Sequence, residues 1–248
     1  MPITASQLQK YAPVNTPENN SSISGGAIDI TTTLKSFVQA SATIPKIASS
    51  NAGDSMNVTL YGIDATGNVV SETKALSGTS QVAFTQSFVY LLKLTTSSAP
   101  AGNVTVYMND GTTVIVVLDA GKRNNRVQFY DAASDENTEI FLYEKEYWKN
   151  EHGTLSLTTS RLALTADSIE DATHDVQVAV EASSDQSVAN RLTAPSGGLT
   201  FVDEATDILI GSLAAGASKG LWTRCRLGAA AAQVRGTYQT RLAGQTVD

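Results

Sequence analysis

The sequence predicts an all-β chain, and three observations carry that prediction. Apolar residues alternate with polar ones in short runs, as in Asn57-Val58-Thr59-Leu60-Tyr61-Gly62 and in Val176, Val178 and Val180. A period of two is the signature of a half-buried strand. Clusters rich in Gly, Asn, Asp, Ser and Pro separate these runs at short intervals, the residues that turns require. No segment calls for a long helix. The arrangement expected is two tandem antiparallel β-sandwich modules, Ig-like or jelly-roll-like, over residues 28–120 and 121–248, with an extended N-terminal arm over 1–27.

Composition bounds the function. At 248 residues and 42% apolar content the chain has material for a sizeable core. A net charge of −7 opposes a nucleic-acid groove, which needs clustered Lys and Arg. There are two histidines, one cysteine and 17% charged residues. Catalysis and metal binding draw on those residue types in clusters, so no enzyme, metal or cofactor is expected. A single cysteine excludes an intrachain disulfide. Met1-Pro-Ile-Thr-Ala-Ser-Gln7 carries neither the charge nor the apolar stretch of a secretory signal, and no apolar run approaches the ~18 residues of a membrane span.

The elements follow in order. Pro2, Pro13 and Pro17, then Asn19-Asn20-Ser21-Ser22-Ile23-Ser24-Gly25-Gly26, predict an arm without regular structure. Such an arm is ordered when something holds it, and neighbouring copies in an assembly are the holder expected. Its apolar residues Ile3, Leu8, Tyr11, Val14 and Ile23 are the candidates for docking. Val58, Leu60 and Gly62 then form the inner face of a strand, Asp64-Ala65-Thr66-Gly67-Asn68 a hairpin loop, and Val69 to Thr73 the returning strand. Val82 to Phe84, Phe88 to Leu92, and Val104, Val106 and Met108 continue the pattern. Val114-Ile115-Val116-Val117-Leu118 is apolar on both faces, so it is a strand covered on both sides or one lying at an interface.

Asp119 to Asn125 is the expected boundary between modules. Overlapping it, Lys122-Arg123-Asn124-Asn125-Arg126 is read as a solvated interdomain turn, with a basic nucleic-acid patch as the alternative. Beyond it strands are expected around Val127, Ile140, Leu155, Leu162, Val176 and Ile208. The chain closes with a hairpin of Leu221 to Leu227 and Thr237 to Leu242.

The stretch Val58-Thr-Leu-Tyr-Gly-Ile-Asp-Ala-Thr-Gly-Asn-Val-Val-Ser-Glu-Thr, then Phe84-Thr-Gln-Ser-Phe88, then Ala101-Gly102-Asn103-Val104-Thr105-Val106, resembles a pattern met in structural proteins of tailed bacteriophages. Lys219-Gly220-Leu221-Trp222-Thr223-Arg224 with Thr237-Tyr238 is similar to a closing hairpin in phage virion proteins. The resemblance covers roughly half the chain and carries over no functional residue. It implies a virion component made in the host cytoplasm, whose partners are copies of itself and other virion proteins, with no membrane and no nucleic acid. A capsid or a head–tail neck or collar position is expected.

The remaining chemistry has two readings each. His152 is a surface-turn histidine or a functional one. Asp167, Glu170, Asp171 and Asp175 around His174, and likewise Asp131, Asp135, Glu136 and Glu139, are solvated acidic loops or oxygen ligands for Ca²⁺ without the usual calcium-loop spacing. Cys225 between Arg224 and Arg226 is a small buried hydrophobe or an activated thiol. Tyr147 and Trp148 among charges are an interface anchor, a sugar-binding platform, or sheet residues tucked into the core. The sugar platform carries the alternative function, a carbohydrate-binding or adhesive module of a tail.

Overall fold

The computed structural model of the chain describes residues 2–129, 132–168, 170–204, 206–231 and 237–246. A single 3-10 turn, Ala5–Gln7, precedes seventeen described strands. They are β1 (Leu8–Asn15), β2 (Ser24–Thr33), β3 (Lys46–Ser49), β4 (Asn57–Ile63), β5 (Val69–Ala75), β6 (Val82–Ala83), β7 (Tyr90–Thr96), β8 (Val104–Tyr107) and β9 (Val114–Leu118). β10 (Asn124–Arg126), β11 (Ile140–Asn150), β12 (Leu157–Asp167), β13 (His174–Val180), β14 (Ser187–Val188), β15 (Ile208–Leu213), β16 (Ser218–Leu227) and β17 (Tyr238–Thr246) complete the set. The all-β expectation holds.

The chain forms two compact units, Met1–Asp29 with Phe129–Asp248, and Ile30–Gln128. The sequence pointed instead to an arm over 1–27 and modules divided at 120. The physical reason lies in β10. Asn124–Arg126 is a strand between β7 and the end of β2, so the second half of the polar stretch read as a solvated turn is internal to a sheet. Asn125 is fully buried, and its side chain accepts from the Lys35 amide at 2.8 Å and donates to the Lys35 carbonyl at 3.0 Å. Arg126 is also buried, Lys122 Nζ donates to the Ile30 carbonyl and Arg123 to that of Ser97.

In the inserted unit, 30–128, one sheet runs β5-β4-β7-β10 and a second runs β6-β3-β8-β9. Val58 and Leu60 on β4, Leu91 and Leu94 on β7, Ile47 on β3, Val104 and Val106 on β8 and Leu118 on β9 share one core with Phe84 and Phe88. Burying each such side chain stabilises by roughly 1.5–3 kcal/mol. The predicted hairpin joins β4 to β5, where Asp64 Oδ1 accepts from the amides of Thr66 and Asn68 at 2.8 and 3.0 Å. Gly62 is required by close approach. A Cβ there would lie 2.1 Å from the Tyr90 carbonyl oxygen.

In the other unit, β13-β16-β11-β1 are consecutive neighbours, with the start of β2 beside β1, and β15-β12-β17 form a three-stranded sheet. Adjacent residues of a strand face opposite ways. Leu142 and Leu221 thus join Leu162, Leu164, Val176 and Leu242 in one core. Their neighbours Tyr143 and Trp222 face the other way and pack with Val188 and Phe201. The larger sheet is therefore covered on both faces.

Two expectations change here. Residues 8–15 are a strand of their own chain, paired with β11 in the register Leu8↔Asn150 to Tyr11↔Tyr147. Pairing satisfies backbone groups that an extended arm leaves to solvent. The segments Leu221–Leu227 and Thr237–Leu242 are not hairpin partners: β16 lies between β13 and β11, while β17 pairs with β12. Leu242 and Tyr238 reach the core only from the second sheet.

Candidate functional site

β11 carries a run of ionisable side chains and holds them inside. Glu144, Lys145, Glu146 and Tyr147 are each 3% exposed or less. A buried charge without a partner costs several kcal/mol, about 3–5 when one member of a pair is removed. Each of these charges has a partner. Lys145 Nζ lies 2.6 Å from Glu181 Oε2 and donates to the carbonyl oxygens of Gly26, Ser183 and Ser184 at 3.2–3.3 Å. The ring centroids of Tyr147 and Trp222 stand 4.7 and 5.8 Å from the same nitrogen. Glu181 Oε1 accepts the Gly220 amide at 2.7 Å, with Lys219 Nζ at 3.9 Å. The Tyr147 hydroxyl sits against the carbonyl oxygens of Gly26, at 2.6 Å, and Ser184.

Two further pairs flank this one. Arg191 meets Glu144 at 3.0 Å and reaches the Asn20 side chain at 2.6 Å. Lys10 meets Glu146 at 2.9 Å, and the Thr240 hydroxyl donates to the same carboxylate. Burial pushes the Lys145 ammonium below its ordinary range, a pull that the adjacent Glu181 carboxylate offsets only in part. Burial first and Glu181 second push the Tyr147 phenol up. The site ties β1, β11, β16 and the end of β13 into one register. Its groups are turned onto the chain's own atoms.

The residues singled out in the sequence fall as follows. Tyr11 and Tyr147 are buried, at 2% and 1% exposure. Ile3, Leu8 and Trp148 are half-buried against the unit's own core. The Trp148 indole donates to Thr240 at 3.3 Å, and Lys10 Nζ lies 5.7 Å from its ring centroid. Tyr147 is thus tucked into the core, while Trp148 keeps part of its ring at the surface. Val14 and Ile23 are exposed, at 58% and 53%.

The acidic loops hold their own backbone. Asp171 Oδ1 accepts the amides of Thr173 and His174 at 2.6 and 2.7 Å, which holds its carboxyl well below the usual range. Asp167 accepts the Val176 amide at 3.0 Å, and Asp135 those of Asn137 and Thr138. Asp131 lies outside the described residues. Among the described residues no group of three or more His, Cys, Asp or Glu is arranged around a metal-sized space. His152 Nδ1 accepts the amides of Thr154 and Leu155, closing a turn. Cys225 is a buried member of the core, and burial pushes its thiol up to about 12.

The outer surface carries a different feature. β5, β9 and β15 are edge strands, and each exposes an aliphatic side chain: Val69 at 46%, Val114 at 44% and Leu209 at 65%. Val38, 70% exposed, donates its amide to the Ile115 carbonyl of β9 at 2.9 Å.

Neither a family model nor a curated protein matches the chain. The buried pairs escape a reading of the sequence because Glu and Lys in a row look solvated. The available signal was Glu144-Lys145-Glu146 inside a strand with no polar–apolar alternation, together with a glycine inside β16, a mark of close approach.

Proposed function

We propose that the chain is a non-enzymatic structural component of a tailed-phage virion, present in many copies and joined to its neighbours through sheet edges. The observation that carries this reading is the exposure of Leu209, Val69 and Val114 on edge strands of both units. An edge strand presents a row of unpaired N–H and C=O groups, which monomeric proteins blunt with charge, proline or bulges. Aliphatic side chains stand beside that row on all three edges, although β5 also carries Glu72 and Lys74, the pairing of β15 with β12 is bulged, and two carbonyls of β9 already accept from Val38 and Lys35. Addition of a neighbour's strand pairs the backbone and covers the apolar groups together.

Two further points favour the reading. The turn and strand pattern resembling phage structural proteins falls on the β4–β5 hairpin, on the core residues Phe84 and Phe88 and on β8. The two sheets of each unit share one core, and on our reading each unit is a β-sandwich, a form suited to repeated lateral contact. We place the protein on the capsid or at the head–tail neck or collar. A stable contact there needs roughly 1,000 Å² or more, which symmetry then repeats.

The test is native mass as a function of concentration, with Leu209→Lys and Val114→Lys as variants. The expected result is a defined oligomer in the natural chain that at least one variant dissociates without loss of β structure by circular dichroism. Monomers at every concentration in the natural chain would contradict the reading.

A further inference from the structure

The Lys145–Glu181 pair has a geometry that a simple ion pair does not need. Lys145 lies on β11 and Glu181 follows β13, and β16 runs between those two strands. Side chains on next-nearest strands meet here only because the residue beneath them is Gly220. A Cβ at that position would lie 2.2 Å from Glu181 Oε2 and 2.6 Å from Lys145 Cε. The pair thus bridges three strands over a glycine, with both side chains 2% exposed or less.

We propose that Lys145 and Glu181 join spontaneously in an intramolecular amide bond, making this a covalent modification site that staples β11 to the end of β13 across β16. The two groups are in contact, with Nζ 2.6 Å from Oε2. Within the pair a proton passes from Nζ to Glu181 Oε2, giving an amine and a carboxylic acid. The amine lone pair attacks Cδ, and the N–C bond forms. Negative charge develops on Oε1, which already accepts the Gly220 amide at 2.7 Å and has the Lys219 ammonium at 3.9 Å. Donors fixed before the charge develops are what stabilises such an intermediate. The Cδ–Oε2 bond then breaks, and Oε2 leaves as water with two protons that began on Nζ. The third stays on the new amide nitrogen. No oxidant, reductant or further reactant enters.

The enclosure favours this direction. The rings of Tyr147 and Trp222 and the carbonyl oxygens of Gly26, Ser183 and Ser184 surround the nitrogen and hold it against Glu181, shut off from solvent. Burial lowers the affinity of Lys145 for its proton, which raises the share of the nucleophilic amine. Held at contact distance, the two groups react as one molecule rather than two. The inference is independent of the assembly reading, since it concerns one chain alone.

The experiment weighs the natural full-length protein, fully unfolded, by intact mass spectrometry. The expected mass is one water, about 18 Da, below that of the sequence, and digestion gives a branched peptide joining the segments around residues 145 and 181. A mass equal to that of the sequence overturns the proposal. The variant Lys145→Arg, whose guanidinium is not a nucleophile, is expected at full mass. A water lost in that variant too, or a branched peptide elsewhere, also overturns it. The first measurement is on the natural chain, so the answer does not depend on a variant folding.

Discussion

At Arg191 the balance between burial and pairing is open to direct measurement. Its guanidinium is fully buried and meets Glu144 at 3.0 Å. Removing one member of a buried pair leaves a charge without compensation, so Arg191→Met is expected to cost about 3–5 kcal/mol in urea unfolding. The double change Glu144→Leu with Arg191→Met is expected to recover most of that, because two apolar side chains replace two desolvated charges. A double variant as unstable as the single one would contradict this view of the pair. Glu72 gives the pH dependence. Burial on its own raises its carboxyl, but hydrogen bonds from the amides of Gln86 and Thr85, the Lys74 ammonium and the Thr85 hydroxyl outweigh it. The result is a fall from 4.5 to about 2. The folded value is the lower one, so the stabilisation is complete above the unfolded value and fades as pH falls from about 4.5 to about 2. Glu72→Gln is expected to lower stability by roughly 1–3 kcal/mol at neutral pH. The difference should close in acid, as thermal melts across that range will read. None of these partnerships is legible locally. Glu72 and Thr85, or Glu144 and Arg191, become neighbours only through the register of sheets.

At the scale of elements, what could be read was what local chemistry fixes. Alternation of Val58 and Leu60 with Thr59 and Tyr61, followed by Asp64 and Gly67, specifies a strand and a tight turn whatever the rest of the chain does. The β4–β5 hairpin is accordingly where the sequence put it. Pairing between distant segments is different, because it depends on which apolar face meets which core. Leu221–Leu227 and Thr237–Leu242 look like a hairpin by proximity, yet they lie in different sheets, the second pairing with β12. Residues 8–15 look like an arm because Pro13 and polar neighbours hide the pairing of Tyr11 with Tyr147. Deletion of residues 1–15 is therefore expected to destabilise the unit containing β11, and an unchanged melt would contradict the strand's role. Gly62 makes a sharper case. An added methyl meets a carbonyl oxygen, which is backbone and has little room to move. Gly62→Ala is expected to cost more than about 2 kcal/mol, measured as a lowered midpoint in thermal unfolding.

For the whole molecule, the composition of residues 30–128 as a compact insertion has a consequence of its own. Its first and last strand segments run side by side, Thr32 and Thr33 pairing in parallel with Asn124 and Asn125, and its core draws only on its own residues. The segment 30–128 expressed alone is expected to fold and to unfold cooperatively; a disordered circular-dichroism spectrum would contradict that. The scarcity of His and Cys and the alternating pattern are what led us to propose a protein that acts by contact. The edges through which contact would run needed the sheet order, since Leu209 stands between the half-buried Ile208 and Ile210, and Val114 beside the buried Ile115. That surface decides the account. Native mass spectrometry of the full chain across a range of concentrations tests it most directly: a closed oligomer that Leu209→Lys or Val114→Lys dissociates is the predicted result, and a monomer throughout is the result that would contradict it.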